Sequence, residues 1–260
     1  MSVLPCLAVL LYLIRRRSPR SDRNHLVMRV FIGGIAVTVL AYVAQRSLSF
    51  LTSDWSVDSL GRVALESIIG AALVEEALKL VIVLRFAYRR PEMREISDAI
   101  VMAVSAGLGF CCLENILYAG ANVTIGLGRA FTALPLHALA SGLMGYEIGL
   151  SKLRPRSRQR VWHGLWKAVL VHGLYNFILM GVTAGALPHL AAFLVVPLLG
   201  TAYMWLLSEL KVAGQKDRAQ AYLDAHQTEA PSMFDQPPSA AGSMVHDMHP
   251  AQRSNRQSSP

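Results

Sequence analysis

The sequence predicts an all-α protein: a polytopic transmembrane helical bundle of about seven spans, followed by a disordered cytoplasmic C-terminal tail. Three observations carry that expectation. Of the 260 residues 53% are hydrophobic and only 16% charged, and mean hydropathy is +0.38, a balance far from that of a soluble chain of this length. The apolar residues fall in blocks, most of them close to the roughly 20 residues that cross a bilayer as a helix. Basic residues cluster between alternate blocks, as they do when short cytoplasmic loops retain Lys and Arg.

Taken in order, the first block (3–14) is short and is followed by "RRRSPR". No small-residue cleavage site comes after it, so a first span is expected there rather than a signal-peptide core. Longer blocks cover about 27–45, 63–84, 96–119, 130–151, 164–184 and 187–208. The basic clusters are Arg15, Arg16, Arg17, Arg20 and Arg23, then Arg85, Arg89, Arg90 and Arg94, then Lys152, Arg154, Arg156, Arg158 and Arg160. The intervening connections carry only Arg46, Arg62 and Arg129, at their edges. Seven spans with the N-terminus outside and the C-terminus in the cytoplasm put every cluster on one side of a plasma (inner) membrane, and a slip of one span does not. The net charge of +8 is then topology, with attraction to anionic lipid as a second effect, and no nucleic-acid partner is expected.

The membrane domain is expected to occupy residues 1–212. From 213 to 260 the composition turns to Gln, Ser, Pro, Asp and His, and after a short helical "KDRAQAYLDAH" the apolar periodicity fails, as in a disordered tail. His246 and His249 in that tail are read as composition, not as a metal site. Cys6, Cys111 and Cys112 are odd in number and lie in apolar runs, which supports neither a disulfide framework nor a zinc ribbon.

Chemistry must therefore come from polar residues inside the spans. "VEEALK" puts Glu75, Glu76 and Lys79 mid-span, where each charge costs about 2.5–3.5 kcal/mol on the insertion scale and persists only facing protein or water. "GFCCLENILYA" adds Glu114 and Asn115, "PLHALASGLMGYEIG" adds His137, Ser141 and Glu147, and "VLVHGLYNFIL" adds His172 and Asn176. Residues four apart share a helix face, so Glu75 with Lys79, Phe110 with Glu114, and His172 with Asn176 form stripes that a bundle buries by turning them to a common centre. Bland readings stand beside these. Lys79 can snorkel to the surface or neutralise Glu75, Asn115 can bridge two helices, Glu147 is interfacial, and Gly145 with Gly149 is a close-packing pair.

In this order EExxK (Glu75, Glu76, Lys79), FxxxEN (Phe110, Glu114, Asn115), HxxxSGxxG (His137, Ser141, Gly142, Gly145) and HGxxN (His172, Gly173, Asn176) resemble the PrsW family of intramembrane proteases, relatives of the CAAX prenyl-protein endopeptidases and the Abi proteins. The resemblance covers about residues 60–180, with a catalytic core of about 60–184. It departs from the family at Asn176, where Asp is common. It implies metalloprotease-type, site-one cleavage of a membrane-anchored protein such as an anti-sigma factor, and hence a signalling role.

Hydrolysis inside a membrane needs a base for water and a group to hold the oxyanion. Glu75 is the expected base, with Glu76 orienting it or lining a water path. His137, His172 and Glu114 are the expected ligands of a divalent metal such as zinc. Alternatively the histidines and Asn176 hold the oxyanion in a metal-free glutamate protease. Lys79, Phe110 and Asn115 support the site. Helix counting sets these groups roughly 9 to 21 Å below the outer boundary. A proton- or cation-coupled transporter and a non-catalytic scaffold are the other classes; the repeated halves common in transporters are missing from the sequence.

Overall fold

The computed structural model describes residues 3–16, 21–51, 59–121, 123–153 and 158–229, and among them there is no strand. Helices run Leu4–Arg16 (α1), Ser21–Leu51 (α2), Ser59–Ala64 (α3), Val74–Phe86 (α4), Ile96–Ala121 (α5), Val123–Leu153 (α6), Arg158–Thr183 (α7) and Val195–Glu229 (α8). A π-helical stretch, Leu65–Leu73, joins α3 to α4, and a 3-10 turn, His189–Leu194, precedes α8. Each expected span is matched by a helix. Residues 23–50, 96–120, 159–183 and 189–226 are long and apolar enough to cross a membrane. α1 has 13 residues, about 20 Å at 1.5 Å per residue, short of a bilayer core of about 30 Å.

α5 is the central helix: 89% of its apolar window is buried, against 44% in α2 and α7 and 11% in the helix that includes α8. Its composition explains the position. Ala99, Ala103 and Ala106 are fully buried, and such small residues let neighbouring backbones approach, as membrane helix packing requires where apolar burial alone gives no drive. At Gly109 a Cβ would stand 2.0 Å from the Phe31 carbonyl oxygen of α2, and at Gly145 one would stand 2.7 Å from Ile100 Cα of α5. Both obstacles are backbone and cannot swing aside. We therefore expect Gly145→Leu to abolish recovery of monodisperse, heat-resistant protein in detergent, whereas Gly200→Leu on α8, where nothing lies within 4 Å of the added Cβ, leaves it unchanged.

Polar contacts pin the end of the bundle that carries the 85–94 cluster. Arg23 pairs with Asp98 at 2.8 Å, and Asp98 Oδ2 accepts from the Arg94 and Glu95 backbone N–H groups at 3.0 Å each. Asp217 on α8 accepts from the Ile96 and Ser97 N–H groups and from Ser97 Oγ, so a carboxylate from a remote part of the chain caps the N-terminus of α5. Glu147 pairs with Arg160 and Lys167, and Lys167 also reaches Glu209. α8 continues through residue 213 without a break; the domain boundary expected there does not coincide with a helix end, because "KDRAQAYLDAH" is built of good helix formers. The described residues from 220 on, helical as far as Glu229, belong to a unit of their own. The expected disordered tail from 230 on lies outside the described residues.

Candidate functional site

The π-helical stretch ends at Leu73, one residue before α4 and two before Glu75. Backbone on both sides is right-handed helical, so α3, the π stretch and α4 form one rod with a wide turn beside its charged residues, a place where π segments recur in functional helices. Glu75 and Glu76 are consecutive, and Lys79, four and three residues on, reaches both. Its Nζ lies 2.7 Å from Glu76 Oε1 and 3.6 Å from Glu75 Oε2, 2.9 Å from His137 Nδ1, and 4.3 Å over the Phe110 ring. Lys79 is fully buried; it does not snorkel.

The proton positions on the two histidines follow from their partners. His137 Nε2 lies 2.9 Å from Glu114 Oε2. An ionised carboxylate can only accept and an ammonium can only donate, so Nε2 carries the hydrogen and Nδ1 is the acceptor facing Lys79. His172 Nδ1 lies 2.7 Å from Glu76 Oε1 and donates to it, and its Nε2 lies 3.7 Å from Glu75 Oε2. The rings stand edge to face with centroids 5.0 Å apart. Behind each imidazole, then, a carboxylate fixes the ring and turns its other nitrogen inward, the arrangement that orients metal-binding histidines. Pro135 lies inside α6, two residues before His137, a usual cause of local bending.

Glu75 is held from outside the sequence motifs. Gln45 Nε2 on α2 donates to its Oε1 at 2.9 Å, and its Oε2 is buried with no hydrogen-bond partner among the described residues. Two cavities, of about 410 and 460 Å³, share Gln45, Arg46, Glu75, Glu114 and Tyr118 in their walls. The first also includes Arg129, Asn176 and Thr183, close to the helix ends opposite the basic clusters. The second includes Thr38, Tyr42 and Phe110, between α2 and α5. Glu75, His137 and His172 each offer a ligand atom, all within 4.8 Å of one another. The donor set suits a divalent cation: His172 Nε2 and Glu75 Oε2 face each other at 3.7 Å, and Oε2 makes no hydrogen bond among the described residues.

The model for the "PrsW family intramembrane metalloprotease" matches residues 22–202. The chain belongs to that family. Among its relatives, Protease PrsW of Halalkalibacterium halodurans is 30% identical over 220 residues, 84% of this chain and 97% of that protein. Protease PrsW of Geobacillus kaustophilus is 32% identical over 180 residues, 68% of this chain and 77% of that one, and that of Bacillus subtilis 28% over 188, 70% and 82%. No solved structure matches the chain. Membership makes the protein an intramembrane protease, and the transporter and scaffold readings are not favoured.

Within a PrsW-family bundle the motif residues do not all stand where the sequence suggests. Glu114 is taken up by Arg129, at 2.6 Å, and by His137, so Glu75 rather than Glu114 completes the group of three. Glu76 orients His172 and Lys79 and lines neither cavity. Asn115 is buried, but its Nδ2 donates to Cys111 Sγ on its own helix at 3.3 Å and its Oδ1 has no hydrogen-bond partner, so among the described residues it makes no bridge to a second helix. Asn176 stands in the cavity wall with Glu75. No sequence signal marks Gln45, and Arg129 reads only as an edge charge of a connection. Replacing Gln45 by Leu removes a hydrogen bond to a charged group, about 1.5–3 kcal/mol; we expect a roughly 10- to 100-fold lower kcat/KM against a membrane substrate, with protein level unchanged.

Proposed function

We propose that the protein hydrolyses a peptide bond in the outer juxtamembrane segment, or the outer half of the helix, of a single-span membrane protein of the anti-sigma-factor class, with Glu75 as the base. The observation that supports this most is Glu75 itself: 4% exposed, yet in the wall of both cavities, with Oε1 fixed by Gln45 and Oε2 making no hydrogen bond among the described residues, its nearest cation being Lys79 at 3.6 Å. Water in the cavity gives its proton to Oε2 as its oxygen adds to the scissile carbonyl. The Asn176 amide, in the same wall, donates to the oxyanion. Glu75 then returns the proton to the leaving amine as the C–N bond breaks. His137 and His172 are the nitrogen donors for a divalent ion, zinc in our reading, which when bound would polarise the carbonyl and the attacking water beside Glu75.

Orientation comes from charge. The basic clusters at 85–94 and 152–160 belong on the cytoplasmic side of the plasma membrane, and the first cavity, with Arg46, Arg129 and Thr183, lies toward the opposite helix ends, so water and substrate reach Glu75 from outside. Sequencing the new N-termini of single-span proteins in membranes from cells with the wild-type or the Glu75→Gln chain tests the proposal. Cuts that depend on Glu75 and fall in the outer half are expected. Glu75-dependent cuts on the cytoplasmic side would overturn the orientation, and none at all would overturn the activity.

A further inference from the structure

We propose that Lys79 is the resident cation of the buried donor set and competes with a divalent ion for it, so that the ion is taken up only as the ammonium leaves His137. The inference rests on the donor set proposed above and on five contacts. His137 donates from Nε2–H to Glu114 at 2.9 Å, so Nδ1 is its single free lone pair, and that lone pair accepts from Lys79 Nζ at 2.9 Å. The ammonium also holds Glu76 Oε1 at 2.7 Å and stands 3.6 Å from Glu75 Oε2. Its fourth side is closed by the Phe110 ring, a face that attracts cations. An ion that took His137 Nδ1 would displace a hydrogen bond the lysine already makes.

Charge points the same way. With both imidazoles neutral, Glu75, Glu76 and Lys79 sum to one negative charge in a fully buried cluster, which is close to balance for a group of ions taken out of water. Adding a divalent ion beside the ammonium reverses the sign and sets two cations against one another in a low-dielectric interior. Without the ammonium, two carboxylates and a divalent ion are neutral together. Lys79 therefore holds the carboxylates and His137 in position when no ion is bound and weakens the ion's binding by the same contacts.

The experiment measures Zn2+ binding to the full chain in detergent after stripping with chelator, by calorimetry, together with Tm with and without Zn2+. Lys79→Gln keeps a donor for His137 and Glu76 but removes the charge; it is expected to bind Zn2+ at least tenfold more tightly than wild type and to gain more in Tm on Zn2+ addition, while Lys79→Arg binds no more tightly than wild type. Equal or weaker Zn2+ affinity in Lys79→Gln overturns the competition. If Lys79→Gln survives purification only with Zn2+ present, the competition is supported; if it fails with and without Zn2+, the competition is overturned. His137→Ala separates this from the donor set: unchanged Zn2+ affinity there sinks the donor set, whereas unchanged affinity in Lys79→Gln alone sinks only the role of Lys79.

Discussion

Glu75→Gln is expected to lower cleavage by about 10³-fold, within the range that a positioned general base contributes, while the protein accumulates in the membrane at its normal level. The substitution is nearly isosteric, and the amide oxygen can still accept from Gln45 Nε2, now 2.9 Å from Oε1. What is lost is the capacity of Oε2, buried and without a hydrogen-bond partner, to take a proton from water and return it. Quantifying the cleaved and intact forms of a substrate beside the enzyme's own level separates chemistry from folding. Retention of a tenth or more of wild-type cleavage would remove Glu75 from the role of base. Glu147→Gln provides the contrast, since Glu147 engages Arg160 and Lys167 and is expected to leave the rate within a few-fold of wild type.

Apolar blocks predict helices well in a membrane chain because every backbone polar group must be satisfied within its own segment, so length and hydropathy suffice. The same physics made Glu75, Glu76, Lys79, Glu114, His137 and His172 legible as one cluster: charges and imidazoles on separate spans are tolerable only together. Sequence could not give their order within the cluster. Whether Glu114 or Glu75 stands with the two histidines depends on Arg129, whose guanidinium claims Glu114 from the start of α6, and an arginine at the edge of a span looks the same whether it faces lipid headgroups or a buried carboxylate. Gln45 was hidden for a related reason. It lies in the helix without motifs, and only the crossing of α2 over the Ser59–Phe86 rod brings it to Glu75. The π-helical stretch is equally silent in sequence, since "LESIIGAAL" has no breaker and reads as ordinary helix.

A second large effect is expected at Glu76, where removal of one partner and removal of both should act in opposite ways. Glu76 and Lys79 are fully buried, 2.7 Å apart, and breaking such a pair from one side leaves an uncompensated charge that costs about 3–5 kcal/mol. That is a large fraction of the stability of most domains, so Glu76→Leu is expected to lose most of its folded protein in detergent. Replacing both residues, Glu76→Leu with Lys79→Leu, removes the desolvated charges together, and apolar side chains of similar volume are often neutral or stabilising in that setting; folded protein should return. Activity should not, because His172 Nδ1 then has no carboxylate to fix its ring. The half-buried pair Arg62–Glu66, with side chains 40% and 32% accessible, sets the scale for a partly solvated bridge, and Glu66→Gln is expected to change stability by less than about 1 kcal/mol. Thermal unfolding of the three variants reads the ordering, and a double variant no more stable than Glu76→Leu would show that the pair is held for some reason other than its own charge balance.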